Sequence, residues 1–123
     1  MDPQKFIEPK EIKIEDTKFV ISKIPAVQAQ QIYRSVMQEA KDDGDIAMTY
    51  LLADTTIALL SYAAAVDGEV WVALDSESQI NFWCSKLYNL IKLEAEMIRY
   101  NFGFLFDGTL QKVLGVLREG QAI

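Results

Sequence analysis

The sequence predicts a mainly α-helical fold in which a small N-terminal β-hairpin, a minor α+β element, packs on a bundle of about four helices. The first observation is the segment 46–66, which carries one charge, Asp54, in twenty-one positions. A helix that is apolar nearly all round packs on several sides. The second observation is the alternation of polar and apolar residues after Lys10, which indicates β-structure. The third is the helical spacing of apolar residues elsewhere, and at 123 residues the chain is predicted to form one domain, 1–123.

The start of the chain is predicted to be a short arm followed by the hairpin. Residues 1–9 hold two prolines and no periodicity, which is typical of an arm that is loose unless a partner orders it. Residues 10–24 contain the alternating run EIKIE and then the β-branched and aromatic run KFVISKI. Because an isolated two-stranded hairpin is marginally stable, its apolar face must pack on helices or on another chain. Its edges are left open for pairing.

Four helices are predicted from apolar periodicity and from start and stop signals, at 25–42, 45–66, 76–102 and 108–119. Pro25 suits the first helical turn. The clearest start is Ser76 with Gln79 three residues later, which resembles a capping box. The run VWVAL, between the second and third helices, predicts one exposed strand or an extended link.

The lone carboxylate in the apolar segment, Asp54, has three interpretations. A buried carboxylate must be hydrogen-bonded, neutralised or paired. Asp54 therefore either reaches the surface or pairs with a base such as Lys86 or Arg99. The third possibility is a break in the helix, with Asp54 capping a second segment that starts at Thr55.

The residue inventory predicts a protein that is not an enzyme, with no catalytic, cofactor-binding or metal-binding residues. The chain has no histidine and one cysteine, so the commonest general base and the usual zinc ligand sets are missing. Cys84 lies among apolar residues and is interpreted as a small buried side chain in preference to a reactive thiol. The glycines fit neither a P-loop nor a dinucleotide fingerprint. Carboxylate pairs such as Asp54 with Glu94 remain open, because sequence does not show whether they converge.

The charge distribution excludes some partners and favours others. The net charge is −6, and residues 42–85 hold eight acids and no base. Such a surface disfavours nucleic acid and favours a basic or hydrophobic protein partner, or solubility alone. The apolar segment has acidic flanks without a lysine or arginine anchor, which disfavours a membrane span. One cysteine and the absence of an export signal predict a cytoplasmic location.

Aromatic and aliphatic residues outside the apolar segment are the candidate partner-binding residues, which are Phe19, Ile21, Trp71, Trp83, Phe104 and Phe106. Trp71 is either a lid over the core or an exposed aromatic anchor for a partner. The aromatic cluster at 102–106 either plugs the core or contacts a partner.

A family resemblance is carried by two segments and by the alanine-rich segment between them. The two segments are KFVISKIPAVQAQQIYRSV and WCSKLYNLIKLEAEMIRYNFGFL. In this pattern the chain resembles the phage tail assembly chaperones of long-tailed siphophages and their prophages. The resemblance covers about residues 10–118, and its most telling piece is the join of strand, Ser-Lys-x-Pro and amphipathic helix at 21–34. The family has no catalytic motif that could be assigned to residues of this chain.

The resemblance implies a non-enzymatic protein of the bacterial host cytoplasm. Such a chaperone coats the long tape measure protein and keeps it soluble until tail tube protein polymerises around it, and it is absent from the mature virion. The family also implies a programmed frameshift, of which this chain would be the short, non-frameshifted product. Self-association is expected, because several copies would line one client. The alternative from another class is a small acidic adaptor or inhibitor that binds one basic partner in a one-to-one complex.

Overall fold

The chain folds around a four-stranded antiparallel sheet, and the computed structural model describes residues 6–40 and 51–105. The elements in chain order are β1 (Ile7–Ile14), β2 (Thr17–Lys23), α1 (Ala26–Ala40), α2 (Ala53–Leu60), β3 (Ala63–Asp67), β4 (Val70–Ala73), α3 (Glu77–Trp83), α4 (Leu87–Phe102) and a 3-10 helix (Gly103–Leu105). The strands lie in the order β1-β2-β3-β4. Of the described residues, 54% are helical and 27% are in strands, so the prediction of a helical bundle with a minor hairpin is wrong and the arrangement is α+β.

The hairpin predicted at 10–24 is present as β1 and β2, and it is longer than predicted. Its strands pair from Ile14 with Thr17 outward, across a two-residue turn. β1 begins at Ile7, and the Phe6 side chain is only 6% exposed. Residues 6–9 therefore belong to the fold and are not a loose arm, because Phe6 packs on the sheet; residues 1–5 lie outside the described part.

The helix predicted at 45–66 is the main error. The described part of this segment forms the short helix α2 and then β3, a central strand that pairs with both β2 and β4. The side chains of Ala63, Ala64 and Ala65 are all fully buried, so both faces of the strand are apolar and no alternation marks it. Alanine also favours helices. Gly68, with φ of 63°, then closes the turn into β4.

The long helix predicted at 76–102 is broken into α3 and α4. Ser76 caps α3 as predicted, with its hydroxyl accepting a hydrogen bond from the Gln79 amide at 3.2 Å. The break lies at Cys84, whose backbone is not helical (φ −102°, ψ 73°), and α4 begins at Leu87. Apolar residues on both sides of the break keep helical spacing, so the sequence pattern does not reveal it. The first helix matches α1 within the described residues, and the helix predicted at 108–119 lies outside them.

Two clusters of buried side chains cover the two faces of the sheet. The larger lies between the sheet and the helices, and its members with no more than 1% exposure include Phe19, Ile21, Leu59, Leu60, Leu93 and Met97. The smaller, on the opposite face, consists of Phe6, Val20, Ala64 and Ala73, with Val66 and Trp71 packed against it.

Hydrogen bonds fix the end of α4 to the end of β2. The Asn101 side chain accepts from the Ile24 amide at 2.8 Å and donates to the Ser22 carbonyl at 3.1 Å. Tyr100 donates its hydroxyl to the Glu8 carbonyl at 2.7 Å. The Lys23 ammonium lies 3.9 Å from the centre of the Tyr100 ring, a cation–π contact. These bonds hold the helix layer in one position over the hairpin.

Candidate interaction surfaces

The corner between α3 and α4 exposes a group of large apolar side chains, here called the corner patch, consisting of Phe82, Trp83, Leu87 and Tyr88. Phe82 is 72% exposed, Leu87 64% and Tyr88 60%. Trp83 is half-buried and meets the Phe82 ring edge-on at 5.0 Å between centroids. The local cause is the break at Cys84, since α3 must end and α4 must start within a few residues. Phe82 and Trp83 are in contact, and Leu87 and Tyr88 begin the next helix four residues later. Exposed apolar side chains clustered in this way are characteristic of protein contact sites.

The structure separates the residues that the sequence grouped as partner-binding. Phe19 and Ile21 are 0% and 1% exposed and form part of the core beneath the helices. Trp71 and Trp83 are half-buried, Phe104 is half exposed, and Phe106 lies outside the described residues. Of the five described residues in this group, only Trp83 belongs to the corner patch. Sequence reasoning missed Phe82, Leu87 and Tyr88, because a continuous helix over 76–102 would have placed them on three different faces.

Phe104 borders an apolar cavity of about 420 Å³ between the start of α1 and the end of α4. Tyr33 and Phe102 form one wall, with 5.3 Å between their ring centroids. Leu105 also lines the cavity. The predicted aromatic cluster is therefore split, because Phe102 is buried whereas Phe104 stays half exposed.

A second exposed surface is acidic and surrounds β4. Asp67 and Glu69 precede this strand, Asp75 and Glu77 follow it, and all four are exposed. Between residues 51 and 85 the chain has no lysine or arginine to neutralise them. This surface therefore carries a negative potential that attracts cationic groups.

Among the described residues, the carboxyl of Glu94 is buried in the core at 2% exposure. The Thr56 hydroxyl donates a hydrogen bond to its carboxyl at 2.7 Å. Burial raises the pKa of Glu94 to about 7, since desolvation disfavours the charged form and the Thr56 bond opposes it only partly. Burial, with a smaller contribution from Glu94, raises the pKa of Cys84 to about 11. This thiol therefore has the character of a packed side chain and not of a nucleophile.

Asp54 reaches the surface, which is the first of its three interpretations. It is exposed in the first turn of α2, whose N-cap is Leu52, so Asp54 does not cap a helix starting at Thr55. Lys86 instead contacts Glu15 at 3.4 Å, and Arg99 contacts Glu96 at 2.8 Å. The cavity that Asp54 lines, of about 210 Å³ between α1 and α2, does not include Glu94.

Over residues 6–40 and 51–105, no group of three or more His, Cys, Asp or Glu side chains is placed to hold a metal ion. In the same ranges, no helix has the length and apolar character needed to cross a bilayer. Comparisons of the chain with protein-family models, with curated proteins and with solved structures found no match.

Proposed function

We propose that this chain is a non-enzymatic phage tail assembly chaperone that binds the tape measure protein and keeps it soluble during tail morphogenesis. The observation that carries the proposal is the corner patch, which exposes Phe82, Leu87 and Tyr88 on a folded scaffold. The resemblance of the residue pattern over 10–118 supplies the identity of the client. In this function the chain acts in the cytoplasm of the bacterial host and is absent from the mature virion.

The chemistry of the corner patch suits an aggregation-prone helical client. Aromatic side chains bury much apolar area with little loss of side-chain entropy, and they tolerate many apolar neighbours. A long helix presents an apolar stripe at repeated intervals, so several copies of the chain bind along one client. Each contact is weak, and release by polymerising tail tube protein requires that weakness.

Co-expression with a tape measure protein tests the proposal. We expect the client to remain soluble and to co-purify with several copies of this chain. The double variant Phe82→Ser/Leu87→Ser should lose most of the co-purified client, because it removes the exposed apolar side chains of the corner patch. The matched control is Val27→Ser/Leu52→Ser, which removes two apolar side chains of similar exposure, 63% and 64%, from elsewhere on the surface.

Three results contradict the proposal. One is a client that aggregates regardless of this chain, and another is equal loss of binding in the control variant. The third is a strict monomer in light scattering at high concentration with client present, because coating requires more than one copy. Thermal unfolding of both double variants establishes that they remain folded, so a loss of binding is not a loss of structure.

A second candidate function is an acidic adaptor or inhibitor that masks one basic partner. It is favoured by the exposed acids Asp67, Glu69, Asp75 and Glu77 around β4. Such a complex would contain one copy of each chain and would weaken steeply with salt, whereas client coating through the corner patch would not. Stoichiometry measured at low and high salt separates the two functions.

A further inference from the structure

The two edges of the sheet differ in how they are protected. β1 forms one edge, where Pro9 follows Glu8 with φ of 45° and the pairing register shifts between Ile7 and Lys10. Proline, an irregular register and charged residues are the usual protection of an edge strand. β4 forms the other edge, and its four residues, Val70–Ala73, include no charge and no proline.

The backbone of β4 leaves hydrogen-bonding groups directed away from the sheet. The Leu74 amide donates to the Ala63 carbonyl at 3.0 Å, and Val72 lies opposite Ala65. In an antiparallel ladder, alternate residues bond to the neighbouring strand and the residues between them point outward. The amide and carbonyl groups of Trp71 and Ala73 therefore point outward, and no described residue bonds to them.

The side chains of β4 favour a further strand beside it. Val70 is 52% exposed, and Trp71 and Val72 are half-buried. Trp71 and Ala73 lie on the sheet face that Phe6 covers, whereas Val70 and Val72 lie on the opposite face. A strand added here would continue both apolar faces of the sheet.

Charge determines which strand fits. An antiparallel pair of two β4 strands centred on Val72 places Glu69 of each copy opposite Asp75 of the other, which sets like charges against each other twice. The β1 edge of a second copy is obstructed near Pro9. Lysine or arginine at both ends of an incoming strand would instead meet Glu69 and Asp75, both exposed.

We infer that the outer edge of β4, unpaired among the described residues, binds an extended segment of a partner protein as a further strand. This segment has a β-branched apolar centre and lysine or arginine at each end. Main-chain bonds to Trp71 and Ala73 supply the pairing, and the acids at both ends of β4 select for basic flanks. This site is separate from the corner patch and does not depend on the proposed chaperone function.

The test uses the full chain and a synthetic peptide, Lys-Lys-Thr-Val-Ile-Val-Thr-Lys-Lys. We expect binding that slows hydrogen exchange at the Trp71 and Ala73 amides and weakens between about 50 and 500 mM salt. A peptide methylated on alternate central amides keeps the N–H groups along one edge of its strand, and it should bind. A peptide methylated on every central amide has the same charge but no central N–H group to donate a hydrogen bond. It should bind at least about tenfold more weakly.

Protein variants provide the second arm. Ala73→Pro removes an outward amide without removing a bond to β3, and it should weaken peptide binding at least about tenfold. The matched control is Lys13→Pro, which removes an outward amide from β1 and should leave binding unchanged. Glu69→Gln/Asp75→Asn should weaken binding several-fold and reduce its salt dependence.

Several results overturn the inference. Equal binding of the fully methylated peptide would show attraction by charge alone, and a peptide with glutamate ends that binds equally would contradict selection by charge. Exchange protection elsewhere on the sheet would place the site elsewhere. A stable dimer in light scattering that excludes the peptide would assign the edge to a second copy. If Ala73→Pro fails to fold, the peptide series alone decides.

Discussion

Two polar side chains lie in the core, Glu94 at 2% exposure and Asn89 at 5%. The carboxyl of the first and the amide of the second each affect the free energy of unfolding. A carboxyl whose pKa rises on folding holds its proton more tightly in the folded state. The folded state is then favoured below the ordinary pKa of 4.5, and this advantage is lost as pH rises toward about 7. The difference between the ordinary pKa of 4.5 and the folded-state pKa of about 7 corresponds to about 3 kcal/mol of unfolding free energy.

Glu94→Gln should remove this pH dependence. Glutamine accepts the Thr56 hydrogen bond and carries no charge at any pH, so the variant should match the wild-type protein near pH 4, below the ordinary pKa of 4.5. Near pH 8 it should be more stable by up to about 3 kcal/mol. Urea unfolding at both pH values measures the difference, with exposed Glu77→Gln as the control. A wild-type protein equally stable at both values would contradict the raised pKa.

Asn89 lies on the face of α4 that carries Leu93 and Met97, and its buried side-chain oxygen has no hydrogen-bond partner among the described residues. An unsatisfied buried polar atom costs about 1–3 kcal/mol. Asn89→Leu should therefore raise the unfolding free energy by about 1 kcal/mol or more. Chemical denaturation of this variant and of exposed Asn81→Leu provides the comparison. A lower unfolding free energy for Asn89→Leu would mean that the buried side-chain amide stabilises the fold.

At the scale of elements, a side chain from α1 closes the start of α2. Leu52, the N-cap of α2, makes no capping bond through its own side chain. Glu39 supplies the missing acceptors, because its carboxylate accepts the Leu52 amide at 2.7 Å and the Thr55 hydroxyl at 2.6 Å. The two helices are thus joined by a cap whose residues are distant in sequence.

Glu39→Ala should destabilise the protein by about 1–2 kcal/mol, as the loss of an N-cap does. The neighbouring exposed residue gives the control, Gln38→Ala, for which we expect a change within about 0.5 kcal/mol. Hydrogen exchange should show the loss at the first amides of α2. Equal effects of the two variants would contradict the cap.

The whole molecule depends on covering both faces of the sheet. One face is covered by helices, and the other holds a small cluster in which the Phe6 ring meets Trp71 edge-on at 5.7 Å. A residue that precedes the first strand is thus part of the core. The same cluster supports β4, whose outer edge pairs with no other described strand.

Phe6→Ala should lower the unfolding free energy by about 3 kcal/mol and shift the emission of Trp71, because the variant uncovers the second face of the sheet. Phe82→Ala is the matched control for stability alone, since that ring is 72% exposed and its loss should cost little. Its contact with Trp83 excludes it as a control for tryptophan emission. Thermal unfolding and tryptophan fluorescence measure both effects. A fully stable Phe6→Ala variant would show that other residues cover this face.

How far the sequence predicted the fold and the candidate site varies from segment to segment. Period-two alternation was enough for the hairpin, and amphipathic spacing was enough for α1. The Ser76 cap was also visible, because it involves residues three positions apart. Of the corner patch, only Trp83 was anticipated, since the exposure of Phe82 and Leu87 follows from a break that leaves no mark in the apolar pattern.

The sequence by itself determined which segments are apolar, where local turns and caps form, and that the middle third of the chain is acidic. Only the tertiary structure decided that Ala63–Asp67 is a strand and that Phe19 and Ile21 are buried. The physical reason is that a strand covered on both faces has no alternation of its own. One of its two partner strands is β2, whose paired residues lie 42 to 46 positions earlier in the chain. The local helix preference of alanine gives no indication of that pairing.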